Sequence, residues 1–220
     1  NILGFTVLIY CAFNYCVDNS RSYAIALALI APFLAVTHGR FTLVLPLTVL
    51  LLVIAPAVNK AFRASLLTTI GSVLLSAFTY FMLAKANLWL RNELYLGAAG
   101  KEGRLKDKLF DTANWGNIVR ALGGQNWYLF ATSSGLVIVG ALILLKLLTA
   151  SERRSHPGLA VASLFTLGAI AIIELTSALN LVKIIRPDHV VYGRYSGVVS
   201  PILVAIALSA LITAPQKTRS

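Results

Sequence analysis

Apolar residues along this chain neither alternate nor keep to one helical stripe; they run in long, nearly unbroken blocks separated by short polar stretches. Blocks of that kind predict helices that are apolar all round. Lipid demands such helices, because a helix satisfies its own backbone groups and crosses the hydrocarbon core in about 20 residues. Seven blocks meet or approach that length: residues 1–17, 23–37, 41–58, 64–89, 127–148, 159–182 and 197–214. The expected fold is therefore all-α, a polytopic transmembrane bundle of about seven segments forming a single domain over residues 1–220. Blocks 23–37 and 41–58 are joined only by His38, Gly39 and Arg40, which predicts a short-helix hairpin whose tip stops below the membrane surface. Pro32, Pro46 and Pro56 are expected to kink it, a distortion that neighbouring helices can satisfy within a bilayer.

The one long polar stretch, residues 91–126, is expected to be a loop outside the bundle. Its first half, KEGRLKDKLFD, mixes charges; in its second half Trp115, Ile118, Val119 and Leu122 recur at helical spacing. That predicts a short amphipathic helix lying in the membrane interface, capped by Thr112 or Asn114 and ended by Gly123 and Gly124. Trp127 and Tyr128 then stand where the next segment would enter lipid, and Lys85 is placed to snorkel.

Composition agrees with this picture: 58% of the 220 residues are hydrophobic and 12% charged, with mean hydropathy +0.80, far from a soluble domain. The formal net charge of +11 does not point to nucleic acid, since the basic residues fall between apolar blocks, where anionic lipid head groups attract them, and no nucleic-acid-binding motif occurs. Short loops on one side carry Arg21, Lys60, Arg63, Lys146, Arg153, Arg154, Lys217 and Arg219, and those on the other carry Arg40, Lys183, Arg186 and Arg194. The richer set belongs in the cytoplasm, so His38, Arg40, the long loop and the turn around Arg194 are expected to share the outer side. Cys11 and Cys16, five apart within one block, read as buried apolar residues rather than a disulfide or metal pair. The chain opens at Asn1 inside an apolar block, without a basic leader or a cleavage site, and reads as a piece of a longer polypeptide.

No Walker loop, G-x-S-x-G, H-E-x-x-H or zinc-spaced cysteine pair is present, so candidate chemistry lies where charge meets membrane. Glu174, about 13 Å of helix rise from Lys183, is an intramembrane acid; it either serves a function or pairs with a basic residue to pin two helices. In the stretch RPDHVVYGRY, Pro187 ends a helix, Gly193 permits a sharp turn, Arg194 offers a planar fork suited to phosphate, and Tyr192 and Tyr195 add rings and hydroxyls. Together with Asp188 and His189 this set suits an anionic head group or a lipid-linked phosphate, and equally an interfacial anchor. The tip His38-Gly39-Arg40 is a second basic feature, which helix clustering would bring near Arg194 and Glu174.

The stretch SYAIALALIAPFLAVTHGRFTLVLPLTVLLL resembles the short-helix pair of GT-C superfamily membrane glycosyltransferases. GGQNWYLFATSSGLVIVGALIL and DHVVYGRYSGVVSPILVAIAL resemble later segments of the actinobacterial members, which show a G-x-x-WYL start and a D-H-x-x-YGRY turn. The resemblance covers most of the chain, and the YGRY segment is its most distinctive part. It implies a multi-pass enzyme of the bacterial plasma membrane that transfers a sugar from a polyprenyl-phosphate carrier to a glycan, lipid or protein outside the cytoplasm. The family's catalytic acid lies in its first external loop, which would precede Asn1, so no catalytic residue is carried over and Glu174 is not its substitute. Carried over as lipid-phosphate-binding positions are Asp188, His189, Tyr192, Gly193, Arg194 and Tyr195, with His38 and Arg40. The implied partners are membrane lipids, the lipid-linked donor and the acceptor. No cofactor or metal site is indicated; a divalent cation would be compatible with the phosphate. Two other classes fit the same composition: a transporter or flippase of a lipid-linked precursor, though no internal symmetry is evident, and a noncatalytic membrane scaffold.

Overall fold

The computed structural model describes residues 1–18, 20–58, 66–94, 109–181 and 197–213. Among them the chain is helical, with no strand. The helices are α1 (Ile2–Asp18), α2 (Arg21–Thr37), α3 (Val44–Val58), α4 (Leu66–Leu94), α5 (Trp115–Thr132), α6 (Leu136–Leu147), α7 (Ala150–Ser155), α8 (Pro157–Leu181) and α9 (Ser200–Thr213). Among the described residues three spans are long and apolar enough to cross a membrane: Gly39–Val58 with 20 residues, Leu66–Leu94 with 29 and Pro157–Leu181 with 25. A fourth exists if α5 and α6 are taken as one bent span. The remaining expected segments fold as shorter apolar helices, 17 residues for α1, 17 for α2 and 14 for α9; at 1.5 Å per residue, 17 residues rise roughly 25 Å, short of a hydrocarbon core of about 30 Å.

Helix α8 is the axis of the bundle. Half of its most apolar window is buried, against 11% for α4, and it packs against α1, α3, α5, α6 and α7. Its buried face is rich in small residues, Gly158, Ala160, Ala162, Ser163, Ala169, Ser177 and Ala178, which let neighbouring backbones approach closely where burial of apolar surface supplies no drive between helices in lipid. At the periphery, α4 leans on α2 and buries only Ser72 and Ser76, leaving Leu74, Phe78 and Phe81 more than half exposed. An apolar exposed face on a 29-residue helix is what contact with acyl chains requires. Lys85, expected to snorkel, lays its ammonium over the Phe81 ring at 5.4 Å. Cys11 and Cys16 are buried free thiols. Pro32 and Pro56 lie inside α2 and α3, whereas Pro46 falls in the first turn of α3, where its missing N–H leaves no intrahelical bond unmade.

Two expectations for the centre of the chain are corrected. Within the stretch 91–126, α4 continues to Leu94, and α5, in the place of the expected amphipathic helix, begins at Trp115. Gly123 and Gly124 do not end the amphipathic helix; α5 passes through both and stops at Thr132. The break falls instead at Ser133–Gly135, so block 127–148 is two helices meeting at 106°. Ser134 and Gly135 take positive φ, 52° and 82°, a left-handed pair that reverses direction sharply. The glycine pair could not compete because the face of α5 carrying Ile118, Ala121, Gln125 and Leu129 is buried, and tertiary packing overrides a propensity cost of about 1 kcal/mol per glycine. Asn114 stands at the N-cap of α5, as expected, without a side-chain capping bond; the capping bonds come one turn earlier from Asp111, which heads the 3-10 turn Thr112–Asn114 and whose carboxylate accepts from the Ala113 N–H at 3.1 Å and from Asn114 Nδ2 at 3.0 Å.

A Cβ at Gly123 would meet nothing within 4 Å, and Gly123 lies mid-helix. Gly123→Ala is therefore expected to stabilise the protein by about 0.5–1 kcal/mol, by lowering the entropy of the unfolded chain. Thermal exposure of the buried thiols of Cys11 and Cys16 to a thiol-reactive fluorophore measures this, and a lower midpoint would contradict a continuous α5.

Candidate functional site

The α2–α3 hairpin ends in a tightly held turn. The Thr37 hydroxyl donates to the Phe33 carbonyl at 2.8 Å, within the last turn of α2. His38 leaves helical geometry at φ −153°, and Gly39–Phe41 form one 3-10 turn, closed by the Phe41 N–H to the His38 carbonyl at 2.9 Å. Phe41, 2% exposed, drives inward and packs its ring 5.7 Å from that of Phe5, with the His38 ring edge-on at 6.2 Å. The residue before it, Arg40, is thereby held at the tip, partly exposed. The tip also rests on α8: Thr176 Oγ1 lies 3.4 Å from the Arg40 carbonyl while bonding at 2.8 Å to Ile172 within its own helix. A hydroxyl has one proton to donate, so the contact to Arg40 is the weaker of the two.

Two residues earlier on α8 is Glu174, 6% exposed, with neither carboxylate oxygen hydrogen-bonded. Ser177, one turn further along the same face, is fully buried with its hydroxyl also unpaired. Among the described residues, the cation whose charge reaches Glu174 is Arg40. Helix packing has thus brought Arg40 and Glu174 together across 134 positions of sequence, as their numbering records. Burial, and after it the Arg40 charge, lowers the affinity of His38 for a proton from its ordinary value. At neutral pH the positive charge of the tip consequently rests on Arg40 rather than on a His38–Arg40 pair.

A further polar group had escaped the sequence pattern. Gln125 on α5 is completely buried, with both amide atoms unpaired. Its register was the available signal, since it follows Ile118 and Ala121 and precedes Leu129 at the spacing of one helix face. That face packs on the end of α8 through Ile118, Ala121, Ala178 and Leu179. The C-terminal half of α8 therefore gathers Gln125, Glu174, Thr176 and Ser177, while Thr48, Ser72, Ser76, Ser163 and Thr166 are buried elsewhere in the bundle. The second sequence-derived cluster, Asp188, His189, Tyr192, Gly193, Arg194 and Tyr195, lies outside the described residues, as do Lys183, Lys101, Arg104 and Lys106.

Chemically, a guanidinium fixed at a hairpin tip can bind an oxyanion bidentately, and a sealed carboxylate within a span calls for a compensating cation or hydrogen-bond donor. No family model, curated protein or solved structure matches this chain.

Proposed function

We propose that the chain is part of a GT-C-like membrane glycosyltransferase that uses a polyprenyl-phosphate-linked sugar, with the Arg40 tip and the Tyr192–Tyr195 turn receiving the donor's phosphate. The observation that carries this reading is the placement of Arg40, a cation fixed at the end of a short hairpin and backed by the buried carboxylate of Glu174. The resemblance of the YGRY stretch to such enzymes adds to it. In the reaction, the bond from sugar C1 to the phosphate oxygen breaks, the acceptor oxygen bonds to C1, and the acceptor proton passes to a general base. The electron pair departs on the phosphate of the carrier. Negative charge grows there as the bond breaks, so a prepositioned guanidinium stabilises the transition state more than the ground state. The apolar faces between helices take the prenyl tail.

Arg194→Lys keeps the charge but loses the planar fork. In the intact protein it is expected to lower kcat/KM for transfer from a polyprenyl-phosphate sugar by about tenfold, or 1.4 kcal/mol, with unchanged membrane accumulation. Full transfer by this variant would remove Arg194 from the site. The bent α5–α6 pair, with its 106° angle, favours a second reading, passage of a lipid-linked precursor across the membrane, because interrupted helices recur at transport sites. The same donor in sealed vesicles separates the two: transbilayer movement without a glycosylated product supports transport and defeats the transferase reading.

A further inference from the structure

A polar atom buried without a partner loses its water and gains nothing in return, so native interiors hold few of them. Among the described residues, seven buried side-chain atoms lack a hydrogen-bond partner. Two are the hydroxyls of Ser76 and Ser163, which rotation about χ1 can bring onto a carbonyl of their own helix. The other five belong to three residues: Gln125 on α5, and Glu174 and Ser177 on α8. An amide and a carboxylate present more hydrogen-bonding positions than a helix with engaged backbone groups can satisfy.

The packing of α5 on α8 puts these three residues in one seam. Ile118 and Ala121 of α5 form a small buried cluster with Ala178 and Leu179 of α8. Leu129, further along α5, belongs instead to the main core, whose α8 members, Ala162, Phe165, Ala169 and Ile173, all precede Glu174. Counting forward on α5 thus counts backward on α8. Gln125, one turn beyond Ala121, falls at the level of Glu174 and Ser177, one turn and one residue before Ala178.

The two ends of α5 are held differently. Its C-terminal end is tied to the main core through Leu129 and joined to α6 by the left-handed pair Ser134 and Gly135. Helix α6 is in turn fixed on α9, where Gly140 lies against the Leu203 backbone. The N-terminal end of α5 rests on α8 through Ile118 and Ala121, and its outer face is open, with Trp115, Val119 and Trp127 each more than half exposed. Swinging α5 about the corner parts that small cluster and in the same movement hydrates the five unpaired atoms. What opening loses in apolar contact is therefore offset by what the polar groups gain.

We propose that α5 is a lid, hinged at Ser133–Gly135, over a hydrogen-bonding site formed by Gln125, Glu174 and Ser177, and that its movement admits water to that site. The ligand class is the neutral hydroxyl, water in the first place. Glu174 accepts, Gln125 donates and accepts, and Ser177 does either, while the carboxylate repels an oxyanion. The lid acts whichever reaction the intact protein performs.

The test uses the full-length protein in lipid nanodiscs, with Ser177→Cys as the reporter and hydroxyethyl methanethiosulfonate, a neutral water-soluble thiol reagent, as the probe. Cys11 and Cys16, buried in the main core, serve as references within the same molecule, and their slow labelling shows that each variant is folded. Ser177→Cys is expected to react about a hundredfold faster than they do, because the seam opens without the core. Thr176→Cys, on the adjoining face of α8 against the hairpin tip, is expected to stay as slow as the references. Gln125→Leu, which fills a similar volume without an amide to desolvate, is expected to slow labelling of Ser177→Cys about tenfold by favouring the closed seam. Relative to their rates with free cysteine, the anionic sulfonatoethyl reagent is expected to react with Ser177→Cys about tenfold more slowly than the hydroxyethyl one. Should Ser177→Cys fail the folding check, Gln125→Cys reads the same seam from the lid side. A reporter no faster than Cys11 and Cys16 would overturn the inference. Equal labelling at Thr176→Cys would assign the exposure to fraying of α8 instead, an unchanged rate with Gln125→Leu would remove the polar seam as its cause, and equal rates for the two reagents would refute the preference for hydroxyls.

Discussion

Gly140→Ala is expected to cost the protein about 3 kcal/mol or more and to pull α6 from α9, an effect out of proportion to one methyl group. A Cβ at Gly140 would overlap the carbonyl oxygen of Leu203, and it would lie 2.8 Å from the carbonyl carbon and 2.9 Å from Cα. These are backbone atoms of α9, which no rotamer change can move aside. Leu203 itself is 3% exposed and Leu144, one turn from Gly140, is fully buried, so neither helix can slide without opening the core. In lipid, such close approach is a main source of helix association, since apolar side chains gain little by leaving acyl chains for one another. The measurement is the midpoint of thermal thiol exposure, with Gly71→Ala as the control: a Cβ there meets nothing within 4 Å. A drop for Gly140→Ala no larger than the change for Gly71→Ala would show that α6 and α9 are not in contact at this point.

Phe41→Ala is expected to have the second largest effect, and to act on both stability and the site. Its ring is among the largest fully buried side chains, and Phe5, its neighbour, is wholly inaccessible. Deleting it leaves a cavity under the hairpin tip at a cost of about 3 kcal/mol. The tip cannot collapse into that space, because Val44 and Leu34 on its flanks are themselves buried. Arg40 then loses the anchor that fixes its backbone, so Phe41→Ala should also weaken binding of a polyprenyl phosphate, whereas Phe41→Leu, which refills most of the volume, should restore much of both. Lost stability with intact phosphate binding would separate the packing of Phe41 from the orientation of Arg40.

Much of the architecture was legible in the residue pattern. Long apolar blocks can only be helices if they meet lipid, and α1, α2, α3, α4, α8 and α9 lie within a few residues of the blocks that predicted them. The cysteines' burial followed from their place in such a block, and the intramembrane acid was conspicuous because charge is so costly there. The α5–α6 corner was not legible. Block 127–148 has the hydropathy of one span, and Gly123-Gly124 is a stronger local stop signal than Ser133-Ser134-Gly135. Which of two weak breaks is used depends on what the flanking faces bury, and Gln125 and Leu129 on α5 and Val137, Gly140 and Leu144 on α6 face different neighbours. Gln125 shows the same limit: its composition says surface, and only its fit into the packed face says interior.

A basic turn after Pro187 and a basic tip at Arg40 were both candidates on residue type. Hydropathy decided that this chain is helical and suited to a membrane, because the free energy of placing backbone and charge in lipid depends on each segment's own composition. It could not decide that the charge of Arg40 reaches Glu174, 134 positions away by number, nor that Gly140 lies against Leu203. Those contacts arise from the crossing of whole helices, whose angle and register come from small residues matched between partners, and no single segment carries that information.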